Sequence, residues 1–153
     1  MRISSMQVEN LDDINEPIKD SYECTIRNGI NKVGDQILIN PLLHFQLKEN
    51  PFKPDERKYP VDYAYQRSKT IVVNYNLPEG YTVEELPEPA RFSLPDNASY
   101  VLYNVTHANN KITVVYKFNI RKTIFLSSEY ALLKKFYNMI IQKHAEPVIL
   151  KKV

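Results

Sequence analysis

Three histidines, a single cysteine and scattered carboxylates are the residues through which this chain could do chemistry. A thiolate nucleophile needs an electropositive setting, such as a helix N-terminus, with a histidine beside it. Cys24 stands instead in "PIKDSYECTIRN", where Ile18, Tyr22, Cys24 and Ile26 alternate onto one face and Lys19, Glu23 and Arg27 onto the other. That pattern predicts a strand. A free cysteine on the apolar side of a strand behaves as a small hydrophobe, so Cys24 is expected in the core and not at a reaction centre.

Metal chemistry finds no better footing. His44, His107 and His144 lie dozens of residues apart, and none has a second ligand at helical or strand spacing. His107 opens a predicted hairpin turn. His144 falls near the end of a predicted helix, where a cation would suit the macrodipole. The paired acids Asp12-Asp13 and Glu84-Glu85 sit in polar stretches, whereas acid/base catalysis needs a carboxyl raised by an apolar pocket. Asn97-Ala98-Ser99 and Asn104-Val105-Thr106 match the glycosylation sequon, a pattern that occurs often by chance, and Asn104 falls mid-strand. No catalytic residue, metal or cofactor is expected.

One segment remains, "ENPFKPDERKYPVDYAY" at 49–65. Pro51, Pro54 and Pro60 remove backbone donors and exclude a central strand. "PDERK" mixes acids and bases that could pair among themselves. Arg57, Tyr59, Tyr63 and Tyr65 are the candidate binding residues, because tyrosine rings can stack on a sugar or a proline-rich peptide. The same rings could instead lie over the edge of a sheet with their hydroxyls wet, making the segment a rigid crossover. Both readings stay open, with the crossover the plainer one.

The elements that must position these residues are mostly strands. "QILIN" is a short strand ended by Pro41. "SKTIVVNYNLP" places Ile71, Val73, Tyr75 and Leu77 on one side, and "KITVVYKFNI" places Ile112, Val114, Tyr116, Phe118 and Ile120 there. One wet face and one apolar face describe an antiparallel strand on a core. "HANNK" at 107–111 joins "YVLYNVT" to "KITVVYKF" as a hairpin. "LPEGY" at 77–81 carries turn residues, so the strand before it is expected to fold back into "YTVEEL". The proline-broken "LPEPARFSLPDNAS" should be an edge strand or loop.

A single helix is predicted over 127–146, capped by Ser127 or Ser128 with Glu129 in its first turn. Tyr130, Leu133, Phe136, Tyr137, Ile140, Ile141 and His144 form its apolar stripe. "VILKKV" returns as a final strand at 147–153. The sum is a mainly β chain, α+β in the loose sense: an antiparallel β-sandwich with one C-terminal amphipathic helix packed on it. Its 153 residues suit one domain with N-terminal strands over 1–48, the crossover over 49–65 and a strand and hairpin region over 66–126.

Composition excludes several function classes. A net charge of +2 with dispersed lysines and arginines lacks the footprint of a nucleic-acid binder. Three glycines and no phosphate-binding fingerprint argue against a nucleotide fold. No run approaches the roughly 18 apolar residues of a transmembrane helix, and "MRISSMQVEN" lacks the apolar core of a secretory signal. Any export signal is therefore expected outside this chain.

"NPFKPDERKYPVDYAY" (50–65), "LPEGYTVEELPEPARFSLPDN" (77–97), "YKFNIRKTIFLSSEYALLKKFYNMIIQKHAEPVILKK" (116–152) and, more loosely, "ENLDDINEPIKDSYE" (9–23) together carry a resemblance. The chain resembles the C-terminal domain of unknown function that follows the catalytic core of Bacteroidetes transglutaminase-like proteins. Where that family often opens its helix with a Ser-Pro-Glu-Glu-type sequence, this chain has "LSSEY". The resemblance implies an accessory domain without activity of its own, partnered by a transglutaminase-like core in a periplasmic or cell-surface setting. A transglutaminase core needs a cysteine at a helix start, then a histidine and an aspartate, and no residue here follows that order. A glycan- or peptide-binding module is the alternative.

Overall fold

The computed structural model describes residues 2–26 and 30–153. Their contacts fall into two compact units, Met1–Ile30 and Asn31–Val153. The first is an antiparallel ribbon of β1 (Arg2–Glu9) and β2 (Lys19–Thr25). Its register sets Ile3 opposite Cys24 and Met6 opposite Tyr22, with a bulge between Ile3 and Ser5. Alternation is as the sequence predicts, but Cys24 is not in the core. It is half-buried, and Tyr22 and Ile18 on its face are exposed, because a two-stranded ribbon has no third layer of its own to cover one side. Arg27, expected on the polar face, lies outside the described residues.

The second unit holds two four-stranded antiparallel sheets. One is ordered β6 (Arg67–Asn76), β10 (Lys111–Ile120), β9 (Ser99–Ala108), β8 (Ala90–Ser93). The other is ordered β3 (Ile30–Val33), β4 (Gln36–Ile39), β12 (Val148–Lys152), β7 (Tyr81–Glu85). A two-residue bridge joins β5 (Val61–Asp62) to β11 (Ile124–Phe125). Helix α1 (Tyr130–Ala145) follows a 3-10 turn at Ser127–Glu129. This is a mainly β fold with one C-terminal helix.

Register explains the core. In the first sheet Tyr116 sits opposite Ile71 on one side and Tyr103 on the other, and Val114 opposite Val73 and Val105. These side chains share one face, onto which α1 turns Leu133, Phe136, Tyr137 and Ile140. The packing is aromatic: Phe92 meets Phe136 at 5.5 Å and Phe118 meets Tyr137 at 6.0 Å, both edge to face. Burying each large apolar side chain contributes about 1.5–3 kcal/mol. Val148 and Leu150 of β12 pair with Ile39 and Ile37 of β4 and join the same core.

The hairpin at 107–111 forms as predicted, with Asn109 (φ 49°) and Asn110 (φ 60°) in the left-handed region its tight turn requires. β8 is an edge strand, as the prolines around it demand.

Two expectations are corrected. "LPEGY" does turn, with the Tyr81 N–H donating to the Pro78 carbonyl and Gly80 at φ 76°. Yet β6 does not fold back onto β7; the turn passes the chain from one sheet to the other, because β6 finds its partner in β10 and β7 in β12. The helix start also differs: neither Ser127 nor Ser128 caps it. Glu129 reaches back so that its carboxylate accepts the Leu126 N–H (2.9 Å) and the Lys122 ammonium (2.6 Å), and these interactions hold its carboxyl below the usual range.

Candidate functional site

The 49–65 segment crosses from β4 to β6 and is fastened along α1 as it goes. Asn50 begins the attachment: its side-chain amide donates to the Lys134 carbonyl (2.8 Å) and to Asn138 Oδ1 (2.7 Å). Its own Oδ1 accepts the Phe52 N–H (2.9 Å), a local turn of the kind asparagine favours. Phe52 is thereby driven edge-on against Tyr130 (5.7 Å) and Tyr137 (5.0 Å). The Tyr130 hydroxyl donates to the Pro54 carbonyl (2.8 Å). Lys134 donates to the Lys53 and Pro54 carbonyls and to Asp55 Oδ1 (2.9 Å).

The charges of "PDERK" therefore do not simply neutralise one another. Asp55 pairs with Lys134 across the segment, and that hydrogen bond and charge hold its carboxyl below the usual range. Arg57 turns back on the segment, its Nε donating to the Tyr59 carbonyl (3.1 Å). Its side chain lines an open cleft with Asp55, Glu56, Ser127, Ser128 and Tyr130.

The three tyrosines part company. Tyr63 turns inward: its ring stands edge to face with Phe125 at 5.9 Å, and its hydroxyl lies 3.1 Å from the Tyr137 hydroxyl. Burial, then that hydrogen bond, pushes the Tyr63 phenol up, so it stays protonated. Tyr65 is exposed, with the Arg67 guanidinium 5.1 Å above its ring and 5.4 Å from the Tyr63 ring. Between them Ala64 adopts φ 63°, with its N–H donating to Asp62 Oδ1 (2.7 Å). Tyr59 projects at 78% exposure. Of the four candidates, Tyr63 is part of the core wall, while Tyr59 and Tyr65 face outward.

Sequence reasoning passed over Arg67, whose guanidinium lies over both the Tyr63 and the Tyr65 rings, and Lys69, which shares strand parity with Ile71 and Val73 but stands exposed beyond the buried stretch of β6. A lysine at an apolar position of an alternating strand was the signal for Lys69. His144 is also corrected. It does not serve as a cation for the helix terminus, because burial, then the charge of Lys69, lowers it to about 4. Asn50, Phe52 and Lys134 make the attachment, and only their contacts reveal it. Among the described residues no group of three His, Cys, Asp or Glu side chains is placed to hold a metal.

A family model matches residues 35–150, from β4 to β12 and including the whole crossover. The chain belongs to the DUF3858 family. That family is described as a domain of unknown function with solved structure. The DUF3858 chain is also similar to a solved structure described as a "putative protease" from Parabacteroides distasonis, with a TM-score of 0.55 and 15% identity. The match covers 65% of this chain and 19% of that protein. At this identity the likeness is one of fold. No curated protein matches. No helix among the described residues is long and apolar enough to cross a membrane.

Proposed function

We propose that this DUF3858 domain is a non-catalytic accessory module of a longer bacterial protein. It packs on, or positions, a transglutaminase-like, cysteine-protease-like core in the periplasm or at the cell surface. The observation that carries the reading is the likeness of fold to a stretch amounting to 19% of a larger protein described as a "putative protease". The sequence resemblance over 50–65, 77–97 and 116–152 supports placement after such a core. The crossover adds a contact face: its backbone is tied to α1, while Tyr59, Tyr65 and Arg57 remain outside. Its half-buried phenol, Tyr63, is taken up by a hydrogen bond to Tyr137.

The test is to purify the domain and a matching transglutaminase-like core, then measure association calorimetrically and the core's Tm with and without the domain. Association that weakens on Tyr59→Ala, Tyr65→Ala or Arg57→Ala supports the reading. No association together with an unchanged core Tm overturns it.

A second reading, a glycan- or peptide-binding module, is favoured by Tyr65, which presents a face backed by Arg67. Array binding abolished by Tyr65→Ala supports it, and binding no higher than background removes it.

A further inference from the structure

β6 is a long strand with one open side. It pairs with β10 over the whole of Arg67–Asn76 without a bulge, and no other described strand pairs with it. Among the described residues, no backbone hydrogen bond from a turn or loop reaches 67–76 either. A row of unpaired N–H and C=O groups is a template for another strand, and proteins usually blunt it with shortness, charge or proline. The other edges of the two four-stranded sheets are blunted in these ways. β3 has four residues and carries Lys32, and β7 has five and ends in Glu84 and Glu85. β8 has four, with Pro89 before it, Pro95 just beyond it and Arg91 exposed within.

The middle of β6 has none of these devices. Its charges, Arg67 and Lys69, stand at its start, and "TIVVNYN" from 70 to 76 holds neither charge nor proline. Val72 is 56% exposed between exposed Thr70 and Asn74, whereas Val115, its neighbour on β10, is half-buried. The strand is also its own complement. Laid antiparallel to a second copy across a two-fold axis at Val72, it sets Ile71 opposite Val73, Thr70 opposite Asn74, Lys69 opposite Tyr75 and Ser68 opposite Asn76. β-branched residues then meet each other, hydroxyls meet amides, and no like charges oppose, which would be destabilising. An axis perpendicular to the sheet keeps both cores on one side, so one four-stranded sheet continues into the next. Pairing over 68–76 exchanges about eight to ten main-chain hydrogen bonds, about as many as a typical protein interface carries. We propose that β6 is a dimerisation edge, pairing antiparallel about Val72 with β6 of a second copy of this chain. It uses none of the crossover tyrosines and stands whether or not the domain partners a catalytic core.

The test is sedimentation velocity of the full chain and two double variants, from micromolar to millimolar concentration. The unaltered chain should dimerise as concentration rises, with hydrogen exchange of its β6 amides slowing in step. Thr70→Glu with Asn74→Glu sets carboxylates opposite one another across the axis and should weaken dimerisation about tenfold. Thr70→Glu with Asn74→Lys sets opposite charges at the same places and should restore it. Both positions are exposed, and a glutamate at 70 faces Lys117 of β10 within its own sheet, so circular dichroism should show both variants folded. A chain that stays monomeric at every concentration overturns the proposal and leaves the edge to a strand of another protein. Dimers of equal strength in all three chains overturn it in favour of another surface, and equal weakening in both variants overturns the pairing about Val72.

Discussion

The Tyr63 and Tyr137 hydroxyls meet at 3.1 Å across 74 residues of sequence, joining the crossover to the middle of α1. Both phenols are raised, chiefly by burial, so each is a neutral donor or acceptor at any physiological pH. Removing one partner strands the other. Tyr63→Phe or Tyr137→Phe alone should cost about 1 kcal/mol, and the double variant much less than the sum of the two. Urea denaturation of the four proteins measures the coupling, and strictly additive losses would show that the hydroxyls do not rely on each other.

Phe52 is the larger anchor of the same segment. Phe52→Ala empties the space between Tyr130 and Tyr137 and should cost about 3–5 kcal/mol. Limited proteolysis should then cut within 49–65 first, since the segment loses its main apolar contact. Tyr59→Ala, at an exposed ring, should stay within about 0.5 kcal/mol. Equal losses in the two variants would contradict the orientation of these side chains.

The buried imidazole makes a pH prediction. His144 titrates at about 4 in the fold against an ordinary 6.5, chiefly because burial penalises its charged form and secondarily because of Lys69 on β6. Tyr103 of β9 and Tyr116 of β10 face it as phenols kept neutral by burial. Between those pH values the unfolded chain binds more protons than the native one. The contribution of His144 is therefore complete above about 6.5 and shrinks as pH falls toward 4, with a slope of at most about 1.4 kcal/mol per pH unit. Glu49, Asp55 and Glu129, held low by lysines, lose their contributions only at still lower pH. Unfolding free energies measured from about pH 7 to about pH 5 should decline, and should do so less in His144→Gln. A flat profile over that range would contradict the buried neutral imidazole.

Leu150 of β12 is fully buried, opposite Ile37 of β4 and Val83 of β7. Leu150→Ala should cost about 2–5 kcal/mol, whereas Lys152→Ala, at an exposed position of the same strand, should be nearly silent. Thermal denaturation of the two variants separates the cases, and similar Tm values would argue against β12 as an interior strand.

Local pattern carried much of this fold into view. Alternation in "KITVVYKFNI" marked a strand whose apolar face is the one that packs, and two asparagines marked its hairpin. The three- and four-residue spacing from Tyr130 to His144 marked the face of α1. What stayed hidden depends on partners distant in sequence. Nothing local in "LPEGY" tells whether the next strand returns to the same sheet, since β10 and β12 decide it. A serine before a helix is a good cap in general, but here the Glu129 carboxylate gains both Lys122 and the Leu126 N–H. Cys24 had the right alternation, but alternation shows which residues share a face and not whether another layer covers it. At the crossover, three tyrosines at similar spacing looked alike, and only the position of Tyr137 and Phe125 selects Tyr63 as the one turned inward.

The position of β12 sets an order on how the second unit can form. It is the last strand described, yet it runs between β4 and β7 and hydrogen-bonds to both. During synthesis β6, β9 and β10 can zip together early through neighbouring segments. β4 and β7 must wait for a shared partner made more than 60 residues after β7. Until then Ile37, Ile39 and Val83 lack their cover, so the nascent chain carries an open, apolar pair of edges. A stalled or truncated product lacking the residues beyond α1 should be a better substrate for chaperones and for aggregation than one shortened at the ribbon.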